Sequence, residues 1–214
     1  MKVKVITRIL EANDRIAAEN RKLFNKAGVY VINLMSAPGA GKTSLIERTI
    51  TELHRKLRIG VIEGDIAGTG DAQRIEKLSI PVIQINTGSA CHLDANMINE
   101  AIVDLPLKDL DLLIVENVGN LVCPAEFKVG EDMKVMILSI TEGDDKPLKY
   151  PLMFQESSAL ILNKIDLLPY TNADLEKIKK DSLSLNPNLK IFEVSCKTGQ
   201  GIGEWTVWLQ SLVP

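Results

Sequence analysis

The sequence contains only three cysteines in 214 residues, at Cys91, Cys123 and Cys196. A small and odd number argues against a disulfide framework and favours metal binding or simple burial of the thiols. Long apolar runs are also lacking, since none approaches the roughly 18 residues of a membrane-spanning helix. Residues 1–11 carry Lys, Arg and Glu side chains where a signal peptide would need an apolar region. We therefore expect a cytoplasmic protein that does not enter a membrane.

A strong excess of charge of one sign is absent as well. The chain has 25 Lys and Arg residues against 28 Asp and Glu, which leaves a formal net charge of −3. A basic surface that would attract nucleic acid or an anionic membrane is therefore not indicated, and we expect neither partner. The length and the ordinary composition fit one domain with a sizeable core.

What the sequence does contain is a glycine-rich loop at 36–43, between an apolar run at 29–35 and a helix-compatible stretch at 44–57. It fits the phosphate-binding pattern G-x-x-x-x-G-K-[ST], except that Ser36 replaces the first glycine. Backbone N–H groups of such a loop surround an anion, and the following helix adds the positive end of its dipole. The expected nucleotide contacts are Gly39, Ala40, Gly41, Lys42, Thr43 and Ser44.

Three residues around this loop have expected chemical roles. Lys42 should reach the β- and γ-phosphates and take part in catalysis. The hydroxyl of Thr43 should ligate Mg²⁺, a hard cation that prefers oxygen. Glu116 ends an apolar strand at 111–116 and matches the acidic residue that binds Mg²⁺, often through water, across from the phosphate loop.

A flexible acidic loop at 64–71 follows a predicted strand and is a candidate switch segment. Asp65 and Asp71 could each hold Mg²⁺ or orient the attacking water, and Thr69 is a weaker candidate. We assign the water to Asp65 and the metal to Asp71, with the choice between them left open by the sequence.

A second switch is predicted at 116–123. Gly119 lies where a sensor of the γ-phosphate needs a backbone N–H close to the ligand. Asn120 follows it, and not the glutamine that positions water in Ras-like proteins. We therefore expect slow hydrolysis, or hydrolysis that uses another group.

The identity of the base is predicted from Asn163, Lys164 and Asp166, which follow an apolar strand. An aspartate carboxylate accepts hydrogen bonds from guanine N1–H and from the 2-amino group, and adenine offers neither there. The loop after the last strand places Ser195 and Lys197 where they could contact the guanine ring. The pattern therefore predicts binding of GTP and GDP.

Soft metal ligands are few but grouped in the sequence. Cys91 and His92 are adjacent, and Cys123 ends the second switch. Neighbouring residues of a strand point to opposite faces, so Cys91 and His92 could share an ion only from irregular backbone. Three nitrogen and sulfur donors suit Ni²⁺ or Zn²⁺ and leave a position for water or a two-fold partner. Unrelated burial of the cysteines is the alternative, and it is our expectation for Cys196.

In this order, the motifs resemble the HypB family of hydrogenase nickel-incorporation GTPases, in the SIMIBI class of metallochaperones. The resemblance covers almost the whole chain. Its motifs are Asn20-Arg21 with Phe24, Pro38 to Thr43, Glu63-Gly64-Asp65, Asp71-Ala72 with Arg74-Ile75, Cys91-His92-Leu93, Glu116 to Pro124, and Thr141 to Pro151.

The resemblance implies functions that composition and spacing do not show. Members of the family couple GTP binding and hydrolysis to nickel delivery to [NiFe]-hydrogenase, and they form nucleotide-dependent homodimers. They hold a metal with residues that match Cys91, His92 and Cys123. The implied partners are a HypA-type nickel/zinc accessory protein and, indirectly, the hydrogenase large subunit. The first residues contain no cysteine and the chain has two histidines, so the metal motifs that some members carry near the N-terminus are not expected here.

Other functions remain open. A urease-accessory GTPase is a near relative, but it typically has Cys-Pro-His where Cys91 and His92 are contiguous here. A small-molecule phosphotransferase could use the same phosphate loop, although Asn163, Lys164 and Asp166 argue against it. A nucleotide-gated scaffold without catalysis is the third alternative.

Alternating strands and helices predict an α/β fold of the P-loop NTPase type, with three layers and a mostly parallel central sheet. Right-handed crossovers should bring the switch loops together at the carboxyl ends of the strands. We expect residues 1–28 to form an N-terminal helix packed on the core and residues 29–214 to form the GTPase domain, effectively as a single domain.

Overall fold

The computed structural model describes residues 2–66, 68 and 70–214, with side chains from Leu10 onwards. Thr69, the weaker switch candidate, lies outside this range. In the described part, seven parallel strands form one sheet in the order β3-β2-β4-β1-β5-β6-β7. The strands are β1 (Tyr30–Ser36), β2 (Ile59–Asp65), β3 (Val82–Asn86), β4 (Leu112–Glu116), β5 (Met133–Ser139), β6 (Ala159–Asn163) and β7 (Lys190–Glu193).

Helices cover both faces of this sheet, so the predicted three-layer fold is confirmed, and the sheet is wholly parallel. Such sheets are buried on both faces, which explains the continuous apolar strands. The helices are α1 (Lys2–Ala27), α2 (Lys42–Leu53), α3 (Gly70–Glu76), α4 (Ala95–Ala101), α5 (Cys123–Glu126), α6 (Lys146–Lys149), α7 (Pro151–Gln155), α8 (Leu175–Leu185) and α9 (Ile202–Leu212). None of the helices in the described residues is long and apolar enough to cross a bilayer.

The core divides between the two faces of the sheet. On one face, α2 and α9 pack against the central strands, with Ile46, Ile50 and Trp205 fully or almost fully buried. On the other face, α1, α4, α7 and α8 supply residues such as Phe24 and Phe154. Adjacent residues of each strand face opposite sides, and the apolar runs thereby serve both layers.

The first helix is joined to the sheet layer by polar contacts as well as apolar ones. Asn20 is fully buried, and its amide donates to the backbone oxygens of Ala95 at 2.8 Å and Val129 at 3.1 Å. The helix ends before Gly28, whose φ of +74° stops it in the left-handed conformation. Arg21 forms an ion pair with Asp132 at 2.5 Å.

Helices α2, α4 and α8 each begin directly after a residue in the capping position. The helix after the phosphate loop begins at Lys42, two residues before the predicted start, because Gly41 occupies the left-handed N-cap position with φ +104°. Asp94 caps α4, and its carboxylate accepts from the N–H of Met97 at 2.8 Å. Asp174 caps α8 in the same way, and that helix begins at Leu175.

Candidate functional site

The phosphate loop lies between β1 and α2, at the carboxyl edge of the sheet. Gly39 and Gly41 both have positive φ, +74° and +104°, which other residues adopt only with strain. Ser36 still belongs to strand β1, and the glycine of the general pattern is therefore not needed there. Its hydroxyl accepts a hydrogen bond from the Lys42 amine at 3.1 Å. Burial lowers the pKa of Lys42, while nearby Glu116 opposes that shift.

Two glycines are required by close approach of the chain. A Cβ on Gly41 would collide with the side-chain amide of Asn163, and a Cβ on Gly119 would lie 2.9 Å from the Cα of Pro38. Gly119 of the second switch therefore rests directly against the phosphate loop. This contact brings the predicted phosphate sensor to the nucleotide site.

A cluster of oxygen ligands lies next to Thr43. Its hydroxyl donates to Glu116 at 2.9 Å, and single oxygens of Glu63, Asp71 and Glu116 all lie within 4.8 Å of one another. One carboxylate oxygen of Glu63 and one of Glu116 are buried without a hydrogen-bond partner. Unpaired buried carboxylate oxygens are costly, and hard oxygen donors in this number suit Mg²⁺. These residues thus fit the cation that the sequence implies.

Glu63 was overlooked as a site residue by the sequence reasoning. It is 2% exposed and pairs in register with Glu116, because β2 and β4 are neighbouring parallel strands. Burial, followed by the charge of Glu116, raises the pKa of Glu63 to about 8. Burial also raises the pKa of Glu116 to about 7, with Lys42 opposing. The sequence did offer one indication, because Glu63 and Glu116 each end an apolar run. Only the order of the strands in the sheet shows that the two side chains are neighbours.

This carboxyl cluster predicts a pH dependence of stability in protein without nucleotide or Mg²⁺. The folded-state pKa of Glu63 lies above its ordinary value of 4.5. The protonated Glu63 therefore contributes fully to the stability of the fold below pH 4.5, and this contribution is lost as pH rises towards 8. Glu63→Gln should therefore gain stability relative to the parent protein between pH 5.5 and pH 9. Each ~1 kcal/mol of gain would raise Tm by about 2–4 °C in a chain of this size.

Thermal unfolding of the apo protein at the two pH values measures this effect. Glu52→Gln, on the exposed side of α2, is the matched control and should show no pH-dependent gain. A difference in Tm between Glu63→Gln and the parent protein that is the same at both pH values would contradict the burial of a costly carboxylate.

The two switch aspartates take different positions. Asp71 belongs to the carboxylate cluster beside Thr43, whereas Asp65, at the end of β2, is not part of that group. Arg74 pairs with Asp71 at 3.1 Å and binds Glu47 of α2 at 2.6 Å. Its guanidinium also donates to the Ser44 hydroxyl at 3.2 Å. Arg74 therefore joins the first switch to the phosphate-loop helix, a role that spacing alone did not indicate.

A cavity of about 620 Å³ lies beside the phosphate loop and is lined by four of the five residues predicted to contact the base, namely all except Ser195. Asn163 ties three segments together, since its amide donates to the oxygen of Ala40 at 2.9 Å and accepts from the N–H groups of Lys164 and Cys196. Asn163 thereby fixes the positions of segments that line the cavity. The residues that line the cavity are Gly41, Ser44, Glu47, Arg48, Thr51, Asn163, Lys164, Asp166, Leu167, Cys196 and Lys197.

Asp166 faces this cavity and is held by a neighbour. Its carboxylate accepts from the Ser195 hydroxyl at 2.6 Å, and Ser195 is fully buried. Arg48 of α2 fixes the same loop, donating to the carbonyl oxygens of Cys196 at 2.8 Å and Lys197 at 3.1 Å. The Asp166 carboxylate is thereby held in the cavity, where it can accept hydrogen bonds from a base that has two adjacent donors.

The three soft ligands lie together at the far end of the second switch. The sulfur atoms of Cys91 and Cys123 are 3.2 Å apart, and the Cys91 sulfur is 3.7 Å from Nδ1 of His92. Cys91 and His92 lie in an irregular segment and not in a strand, the condition under which neighbours can share an ion. His92 stacks on Phe127 at 3.9 Å between ring centroids.

Burial tunes these groups. It lowers the pKa of His92, which favours the neutral imidazole that ligates metals. Burial raises the pKa of the Cys123 thiol, Cys91 adds to that shift, and a hydrogen bond with Asn120 opposes it. Cys196 stands apart in the base cavity, where burial raises its pKa to about 11. The set of two thiols and an imidazole suits a soft or borderline divalent cation.

Comparisons with known proteins match most of the chain to one family. The family model "CobW/HypB/UreG, nucleotide-binding domain" matches residues 30–193. The hydrogenase maturation factor HypB of Azotobacter vinelandii is 50% identical over 202 residues, which cover 94% of this chain and 67% of that protein.

Two solved structures resemble the whole described fold. The HypB of Helicobacter pylori, crystallised in complex with nickel, is 40% identical with a TM-score of 0.89, and the match covers 94% of each chain. The HypB of Archaeoglobus fulgidus is also 40% identical, with a TM-score of 0.90 and coverage of 95% of this chain and 100% of that one.

Proposed function

This chain belongs to the HypB hydrogenase maturation factors of the CobW/HypB/UreG family, and from that premise we propose that it is a slow GTPase that carries nickel. The observation that carries the proposal is the second switch. At Gly119 it touches the phosphate loop, and at Cys123 it ends in a thiol 3.2 Å from Cys91. One short segment thereby contacts the phosphate loop and also carries a ligand of the metal.

The nucleotide is held by residues from three loops. The phosphate loop with Lys42 binds the phosphates, and Asp166 and the 195–197 loop bind guanine. Selectivity for guanine follows because an adenine would leave the Asp166 carboxylate partly desolvated and unpaired. Hydrolysis requires a positioned water, and Asp65 orients it in place of the absent glutamine.

Thr43, Asp71 and Glu116 would hold Mg²⁺, with Glu63 beside them. When bound, the cation supplies charge neutralisation on the phosphoryl oxygens. The chain's own contribution is to keep one carboxylate oxygen of Glu63 and one of Glu116 buried without a hydrogen-bond partner, which leaves those two oxygens available. Lys42 adds a second positive charge to the same region.

Nickel is cargo, bound by Cys91, His92 and Cys123, with zinc as the competing ion. Two thiols and one imidazole leave the coordination incomplete, and a second copy of the chain completes it across a two-fold axis. GTP favours the dimer and one geometry of the metal site, whereas hydrolysis loosens both. A HypA-type accessory protein and the hydrogenase large subunit are the proposed partners, in the cytoplasm, with residues 1–28 and 29–214 acting as one unit.

A first experiment tests catalysis by the predicted water-orienting residue. Asp65→Ala should still bind GTP and GDP but lose at least ~10²-fold in turnover, the usual contribution of one positioned proton acceptor. Phosphate release under single-turnover conditions measures the loss. Asp71→Ala is the contrasting variant, and it should instead raise the Mg²⁺ concentration needed for turnover. Undiminished phosphate release by Asp65→Ala would remove Asp65 from this role.

A further inference from the structure

We propose that Asn117 and Asn120 are positioning residues that tie the Cys91-His92 loop to the switch glycine between them. The inference rests on the proposed function, because it explains how nucleotide state reaches the cysteine that is not on the switch. Gly119 contacts the phosphate loop. Asn117 lies two residues before Gly119, and Asn120 directly follows it. Both asparagines hydrogen-bond the backbone of segment 91–93, which is called the metal loop below.

Asn117 forms the buried half of this link. Its side chain is fully buried, and its amide oxygen accepts from the N–H of Leu93 at 2.9 Å and from that of Val118 at 3.0 Å. Its amide nitrogen donates to Asn33 of β1 at 3.1 Å. The metal loop is thereby anchored, one residue after His92, to the strand that leads into the phosphate loop.

Asn120 forms the outer half. Its amide nitrogen donates to the backbone oxygen of Cys91 at 3.2 Å, and its amide oxygen accepts from the N–H of Val122 at 2.8 Å. Asn120 consequently contacts both cysteine segments, whose sulfur atoms are 3.2 Å apart.

These contacts allow a movement of Gly119 to be transferred to the metal loop. Planar peptide units allow rotation only at φ and ψ, so a displacement of Gly119 by the terminal phosphate moves the residues on either side. Each asparagine then transfers that movement to loop 91–93 through a backbone hydrogen bond. Without the amides, Cys123 would still move with the switch, but Cys91 and His92 would not follow. The distance between the two thiols would then be uncoupled from the nucleotide.

The quantity to measure is the ratio of nickel affinities in the presence of GDP and of a non-hydrolysable GTP analogue. Coupling between two sites is typically about 5–150-fold. For the parent protein we expect a ratio in that range. Asn120→Ala and Asn117→Ser should bring it to within about twofold of one, even if both affinities shift together. Asn96→Ala, which removes an amide that bonds only Glu100 on the exposed side of α4, is the control and should leave the ratio unchanged.

A second measurement needs no variant. The Leu93 amide donates to Asn117, so its hydrogen-exchange protection in the parent protein should differ at least about fivefold between the GDP and analogue states. Unchanged ratios in both asparagine variants, or Leu93 protection that is insensitive to nucleotide, would overturn the link. A ratio of one in the parent protein would instead refute the proposed coupling itself, and the two failures are thereby distinguishable.

Discussion

Asp166→Asn is expected to lower the affinity for GTP by about 10²- to 10⁴-fold, because two hydrogen bonds to a charged acceptor contribute about 1.5–3 kcal/mol each. The Ser195 hydroxyl holds the Asp166 carboxylate at 2.6 Å, so the acceptor is already oriented in the cavity. The variant's amide can donate to the 2-carbonyl group of xanthine, and XTP should therefore bind the variant better than GTP does. Competition among GTP, XTP, ITP and ATP for a fluorescent nucleotide measures this reversal.

Asp104→Asn, an exposed change in the short helix after α4, is the matched control and should leave the preference for GTP intact. ITP lacks the 2-amino group and should lose only part of the binding free energy in the parent protein. If ATP competed as well as GTP, or if Asp166→Asn kept the parent preference, the assignment of guanine to this cavity would be wrong. A phosphotransferase would then become the better interpretation.

Cys123→Ser is expected to reduce nickel affinity by at least ~10²-fold in every nucleotide state. A hydroxyl is a poor ligand for nickel where a thiolate is favoured, and disturbing even a residue that supports a ligand commonly costs 10–100-fold. The neighbouring thiol of Cys91, 3.2 Å away, would be left with His92 alone. Nickel titration with GDP and with a GTP analogue measures the loss.

Cys196→Ser is the matched control, because this third cysteine lies in the base cavity and not with the other two. It should retain nickel binding. Nickel uptake by Cys123→Ser that matches the parent protein throughout the guanine cycle would make the chain a molecular timer with no metal of its own.

The fold was predictable because the informative patterns are local. Each buried parallel strand appears as an apolar run, and each switch begins where such a run ends in an acidic residue, as at Glu116. The beginning of α2 was misplaced because a left-handed Gly41 can serve as an N-cap without any side chain.

The parts of the site that escaped prediction are long-range. Glu63 joins Glu116 only because β2 and β4 are neighbours in the sheet, a fact that no spacing along the chain contains. The same reason hid Arg48, whose carbonyl partners belong to a loop at the other end of the sequence. Asn117 and Asn120 were read as parts of a motif, but their partners near Cys91 appear only in three dimensions.

The most direct test of the account is a nickel titration of the parent protein in two states, bound to GDP and bound to a non-hydrolysable GTP analogue. The account predicts different nickel affinities, and linkage requires nickel to change the ratio of nucleotide affinities by the same factor. Equal nickel affinities in the two states would contradict it, because Gly119 and Cys123 would then share a segment without sharing a function.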